Sequence, residues 1–217
     1  MVIKAALLLG PLVVAIVFHE VAHGWVARWL GDPTAQEQRR LSFNPLRHVD
    51  PVGTVVLPLM LALASAPVFG WAKPVPVDAR RLRNPRTGMV LVALAGPGMN
   101  LLLATVAALL LGLVTQDGVG GLVATVLIQF ILINVFLALF NLLPIPPFDG
   151  GHVVQGLLPR PLAEHYAKLA RFGFPVMLIL LVVLPSILPG ANIVARVVAP
   201  PATWLSHQFL HVAGVVA

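Results

Sequence analysis

The chain has 217 residues, 59% of them hydrophobic and 10% charged, with a formal net charge of +6 and a mean hydropathy of +0.94. That balance excludes a soluble globule. The cations flank apolar runs and form no basic, aromatic-interleaved surface, which excludes a nucleic-acid partner. Cysteine is absent, so neither a disulfide framework nor a thiolate metal site can form.

Charge-free runs lie at about 5–18, 51–72, 88–114, 118–148 and 172–195. Runs near twenty residues or longer read as membrane spans. The first span extends from about Val2 to Trp29, with Trp25, Arg28 and Trp29 marking its exit to the interface. Lys4 and the apolar run behind it imitate a signal peptide. The polar residues inside the run, and the lack of a small-residue cleavage site, predict a retained helix.

Those polar residues are His19-Glu20-Val21-Ala22-His23. A helix stacks residues i and i+4, so the two imidazoles converge on one point. With a glutamate beside the first, this is the H-E-x-x-H zinc pattern, in which the Glu serves as general base. The plainer alternative is a polar cap at the membrane interface, which would desolvate three groups for no return.

A polar stretch, Gly31 to Asp50, follows and has the makings of a small hairpin near the membrane surface. The 51–72 run is of span length but carries Pro58, Ser65, Pro67 and Gly70. If it crossed, Arg-rich segments would face opposite compartments, against the positive-inside tendency. It is therefore expected to dip in and return, leaving 28–50, 73–87 and 160–171 on the cytoplasmic side. Lys73-Pro74-Val75-Pro76-Val77 is held extended by its prolines.

Two long spans, about Gly88–Val114 and Gly118–Leu143, are joined by a short loop with Asp117. The second ends in Asn141-Leu-Leu-Pro144-Ile-Pro146-Pro147-Phe-Asp149-Gly150-Gly151-His152. Prolines break the helix there, and the exposed backbone must be satisfied by protein or a wet cavity. A further span, about Phe172–Leu188, precedes a tail, Asn192–Ala217, expected at the interface. The expectation is an all-α membrane protein. It is a multi-pass helical bundle of about four to six membrane segments with short membrane-associated extended or hairpin pieces. Residues 1–190 would form one domain and 191–217 an interfacial tail.

A catalytic zinc takes three protein ligands and keeps one position open. Beyond His19 and His23, the candidates for the third are Asp149, His152, Asp50, His48, Glu37 and Glu164. Asp149 is favoured because it follows a broken helix and precedes Gly-Gly, which permits close backbone approach. The competing reading is a simple helix cap. Gln129 and Asn134 read as interhelical hydrogen-bonding groups. Gly96-Pro97-Gly98 reads as close packing or a kink. His207 and His211 share the i, i+4 spacing but lack a neighbouring Glu and lie near Trp204, so they read as an interfacial face. His48, Asp50 and His152 read equally as turn or outer residues of the site.

The set His19-Glu20-x-x-His23, Gly96-Pro97-x-x-Asn100 and Asn141-x-x-Pro144-x-Pro146-x-x-Asp149-Gly150 resembles the site-2 protease family of intramembrane zinc metalloproteases. Leu41 to Thr54 and Gly70 to Val77 look like its small prokaryotic branch, without a PDZ insert. The resemblance covers roughly residues 10–155. It implies one Zn2+ per chain held by His19, His23 and Asp149, with Glu20 as the base that activates water. It makes Asn141, and by its motif Asn100, candidates for binding the oxyanion or the substrate. It further implies transmembrane proteins as substrates and a site towards the cytoplasmic face of a prokaryotic plasma membrane. Two rivals use the same residues: a metal transporter with a midplane ion site, and an inactive membrane-helix binder. The chain shows no internal repeat, which counts against the first, and it retains Glu20, which counts against the second.

Overall fold

A computed structural model describes residues 2–63, 70–116, 121–188 and 192–216. Ser65, Pro67 and the Asp117 loop lie outside them. Among the described residues there is no strand, and the protein is a helical membrane protein. Helix α1 runs Val2–Trp29, α2 Thr34–Glu37, α3 Leu57–Leu63, α4 Pro85–Gln116 and α5 Leu122–Asn141. Then come α6 at Asp149–Leu157, α7 at Arg160–Ala170, α8 at Gly173–Leu178, α9 at Leu184–Ile187 and α10 at Ala199–Val212. Among the described residues, three helices are long and apolar enough to cross a membrane: Leu7–Trp29, Pro85–Thr115 and Leu122–Asn141. A fourth appears when Arg160–Lys168 and Gly173–Ile187, which meet at 71°, are counted as one bent span.

Helix α4 is the spine. Its buried residues Ala104, Ala107, Ala108 and Leu111 let Ile131, Val135, Ala202 and Ala213 close around it. Small faces of this kind are how helices approach in lipid, where apolar burial alone drives nothing. The opposite faces are apolar and exposed (Leu8, Leu9, Val13 and Val14 on α1; Leu102, Val106, Leu109 and Leu113 on α4), as lipid contact requires. Within the stretch expected as a tail, residues 194–212 are helical and pack along α4 and α5. Val198 joins Leu143 and Phe148 at one end, and Ala213 reaches Gly112 at the other.

The 51–72 segment returns to where it started. A helical piece from Pro51 to Leu63 leaves, but the Trp71 N–H donates to Gly53 O at 3.1 Å and Thr54 Oγ1 donates to Trp71 O at 2.9 Å. Its two ends therefore lie at one level. Arg83 N–H donates to Leu30 O at 2.9 Å, which brings the exit of α1 beside the entrance of α4. Since α4 and α5 are antiparallel neighbours across a short connection, the end of α5 and the start of α6 return to that same face. Tyr166 Oη donates to Pro144 O at 3.0 Å and puts α7 there too.

Candidate metal centre

His19 and His23 occupy successive turns of α1, their rings 4.7 Å apart edge to face and their Nε2 atoms 3.1 Å apart. Asp149 is the first residue of α6, after the proline-broken stretch 142–148. Its Oδ2 lies 3.1 Å from His19 Nε2 and its Oδ1 3.4 Å from His23 Nε2. The carboxylate is therefore turned on the two imidazoles. Both histidines are buried, at 6% and 8% exposure. Among the described residues, these three form the one group of His, Asp and Glu side chains close enough to hold a metal ion.

The arrangement fits zinc on three counts. Tetrahedral N and O ligands about 2.0–2.2 Å from zinc sit about 3.3–3.5 Å from one another, and the two Nε2 atoms are 3.1 Å apart with a carboxylate oxygen of Asp149 3.1 Å from one and its other oxygen 3.4 Å from the second. Asp149 Oδ2 is buried with no hydrogen-bond partner despite its nearness to His19, as befits a lone pair reserved for a cation. Third, Gly96 on α4 leaves a hollow against the ligand atoms. A Cβ there would lie 2.5 Å from His23 Nε2 and 2.6 Å from His19 Nε2.

The far nitrogen of each ring is spoken for. His23 Nδ1 donates to Val92 O at 2.7 Å, and His19 Nδ1 donates to Asn100 Oδ1 at 2.6 Å. Both acceptors are carbonyl oxygens, so Nδ1 must carry the proton and Nε2 presents its lone pair. Pro97, five residues on from Val92, lacks the N–H that would pair with Ala93 O, the carbonyl next to Val92 O along α4.

Glu20 Oε2 accepts the Val75 N–H at 2.8 Å. Residues 71–78 form a strap tied down at alternate positions from Trp71 to Val75 and again at Asp78. Lys73 N–H donates to His48 O at 2.8 Å, Arg40 Nη2 to Lys73 O at 2.7 Å, and Asp78 N–H to fully buried Asp32 Oδ2 at 2.7 Å. Outside the spans, the Arg80 guanidinium hydrogen-bonded to Asp78 holds that carboxyl below its usual range.

The other candidates stand elsewhere. Glu37 pairs with Arg81 at 2.7 Å. Asp50 caps the helical turn after it through the Val52 and Gly53 N–H groups. His48 is buried against Ser42 O. His152 and Glu164 line a cavity of about 480 Å³ between α4, α6 and α7, while His207 lines a groove between α5 and α10. Asn141 Nδ2 donates to Leu137 O at 3.0 Å. Asn100 sits behind His19 with its N–H groups directed to Ala15 O and Asn134 Oδ1. Gly96, Val92 O and Val75 N–H were not foreseen as parts of the site. Gly96 alone had a signal, its place in the Gly-Pro-Gly motif.

Comparison with known proteins gives the family. The family model described as peptidase family M50 matches residues 119–184. A protein of Bacillus subtilis, YwhC, named as a zinc metalloprotease, is 42% identical over 177 residues, 79% of this chain and 78% of that one. The chain belongs to peptidase family M50. A second relative, Rip2 of Mycolicibacterium smegmatis, also named as a zinc metalloprotease, is 28% identical over 81% of this chain and 66% of its own length. No solved structure matches. The resemblance to site-2 proteases drawn from the motifs is thus a family membership.

Proposed function

We propose that His19, His23 and Asp149 hold the zinc of an intramembrane metalloendopeptidase and that Glu20 is its general base. The enzyme is a zinc metalloprotease of the membrane, acting on membrane-protein substrates within the bilayer, and neither the transporter nor the binder reading is favoured. The observation that carries the residue assignment is the meeting of three ligating side chains from α1 and α6, their closest N and O atoms 3.1–3.4 Å apart pair by pair, beside a glutamate.

Zinc, when bound, lowers the pKa of water towards about 7 and polarises a scissile carbonyl. Glu20 takes the proton released by the attacking water and passes it to the leaving amine. The Val75 N–H holds one carboxylate oxygen, Oε2, so the side chain is oriented while Oε1 stays available. The Nδ1 hydrogen bonds of His19 and His23 keep both rings in the ligating tautomer throughout.

A substrate helix hides its carbonyls in its own hydrogen bonds, so it must unwind before cleavage. The strap offers an edge for the unwound chain. Backbone groups alternate along an extended segment; with 71, 73 and 75 committed inward, those of Ala72, Pro74 and Pro76 face out. Proline has no N–H, so this edge is rich in acceptors and suits the N–H groups of an incoming strand. Asn141, at the end of α5 just before the broken stretch, is the candidate for contacting the substrate or the oxyanion. The site faces the cytoplasm of a prokaryotic plasma membrane. Every Lys and Arg from Arg28 to Arg171 lies at or between helix ends on the site's side of the bundle, Arg28 closing α1, Arg86 opening α4 and Arg160 and Lys168 within α7, as the positive-inside tendency requires.

Wild-type protein, Glu20→Gln and Asp149→Ala, reconstituted in liposomes with a labelled transmembrane substrate, test this. Glu20→Gln should keep one zinc per chain and lose turnover by at least about 10²-fold; Asp149→Ala should lose both. Turnover surviving in Glu20→Gln would refute the assignment of the base.

A further inference from the structure

Asn134 is fully buried in the middle of α5, as Asn100 is in α4. An asparagine inside a span is usually glue between helices. Here the direction of each hydrogen bond carries more. Asn134 Nδ2 donates to Phe130 O, one turn back on its own helix, at 2.8 Å. That leaves Oδ1 facing α4, where it accepts from Asn100 Nδ2 at 2.8 Å. The same Asn100 nitrogen donates to Ala15 O on α1 at 3.3 Å. With both its N–H groups so engaged, Asn100 can turn only its carbonyl oxygen to His19 Nδ1, 2.6 Å away. A carbonyl oxygen only accepts, so His19 is fixed with its proton on Nδ1 and its lone pair on Nε2.

We propose that Asn134 is a positioning residue for the metal site, setting the amide orientation of Asn100 and through it the ligating tautomer of His19. The inference rests on His19 being a zinc ligand. Without the Asn134 oxygen, only the longer Ala15 contact holds the Asn100 amide. A flipped amide would present N–H groups to His19 Nδ1, which favours the tautomer with hydrogen on Nε2 and no free lone pair there. Asn134 touches neither His19 nor any other atom of the His19, His23 and Asp149 cluster through a direct hydrogen bond, so its effect must travel through Asn100.

The experiment uses the full chain in detergent or lipid. Zinc affinity is measured by chelator competition, and the visible spectrum of the cobalt-loaded protein reports ligand geometry. Asn134→Leu keeps the volume and removes the acceptor; Asn134→Asp, neutral when protonated in this setting, keeps an acceptor for Asn100 and a donor for Phe130 O. The expected result is zinc affinity lowered about 10–100-fold in Asn134→Leu, with an altered cobalt spectrum, and largely restored in Asn134→Asp. Wild-type affinity and spectrum in folded Asn134→Leu would overturn the proposal, and so would equal weakening in both variants, which marks mere packing. If Asn134→Leu does not fold, Asn134→Gln moves the amide by one methylene. Affinity lowered about tenfold then supports the relay, and unchanged affinity overturns it. His19→Ala separates this from the underlying reading: zinc retained there refutes the site, whereas zinc lost there but retained in Asn134→Leu refutes the relay alone.

Discussion

Replacing Gly96 by alanine adds one methyl group at the point where α4 faces the two histidines. Its carbon would lie 2.5 Å from His23 Nε2 and 2.6 Å from His19 Nε2, about 1 Å inside a comfortable non-bonded separation of about 3.5 Å. The rings cannot simply swing away, because Val92 O and Asn100 Oδ1 hold their other nitrogens. Either α4 backs off or the ligating nitrogens move by about 1 Å, some five times the roughly ±0.2 Å that metal–ligand distances tolerate. Four-ligand zinc sites bind with about 10–16 kcal/mol, or about 3–4 kcal/mol per ligand. Displacing one ligand should therefore weaken zinc by about 10²–10³-fold. The fold itself should lose only about 1–3 kcal/mol through overpacking. Metal analysis and chelator competition on purified Gly96→Ala, alongside Gly98→Ala, check this. A Cβ at Gly98 meets nothing within 4 Å, so that variant should hold zinc as the wild type does. A folded Gly96→Ala protein with one tightly held zinc per chain would show that the Nε2 pair is not the metal site.

Three further substitutions probe the surroundings. Val75→Pro deletes the N–H that Glu20 Oε2 accepts; turnover should fall about tenfold or more while zinc content stays at the wild-type value. Val75→Ala, which keeps the N–H, should do much less. A Cβ on Gly150 would run into the carbonyls of Leu142 and Leu143, so Gly150→Ala should cost about 1–3 kcal/mol and lower the melting temperature together with zinc affinity. Asp32→Ala leaves the buried Asp78 and Thr34 N–H groups without their acceptor. A loss of about 1–3 kcal/mol is expected, read as a lower melting temperature with zinc still bound.

How much of this was written in the sequence depended on range. His19, Glu20 and His23 were legible because helix geometry relates them within one turn. The three long helices were legible because a bilayer dictates their length. The return of 51–72 followed from where the arginines had to sit, and the Gly53–Trp71 hydrogen bond places its ends side by side. What escaped were contacts made by backbone across long separations. Val75 N–H reaches Glu20 across 55 residues and Val92 O reaches His23 across 69, and neither leaves a side-chain signal. In residues 192–213 the legible signal comes from Trp204, His207 and His211. The packing of this stretch depends on Ala202, Ser206 and Ala213, which are buried, and small residues carry little hydropathy.

The division of labour around the cluster also decides where the enzyme is fragile. Helix α4 supplies no ligand, yet it provides Val92 O for His23, Asn100 Oδ1 for His19 and the hollow at Gly96. Ligands drawn from α1 and α6 are separated by 126 residues or more of chain, and each helix has its own freedom to tilt and slide. A single rigid element that touches both histidines from behind removes that freedom in one step, because a shift of α4 against α1 would break both Nδ1 hydrogen bonds together. The face of α4 bearing Val92, Gly96 and Asn100 is accordingly buried, whereas Leu91, Leu94 and Gly98 between them turn outward. Conservative changes on the buried face should disturb the metal more than drastic apolar changes on the outward one. On the proposed assignment, the geometry of the ion would be governed from a helix that supplies none of its ligands.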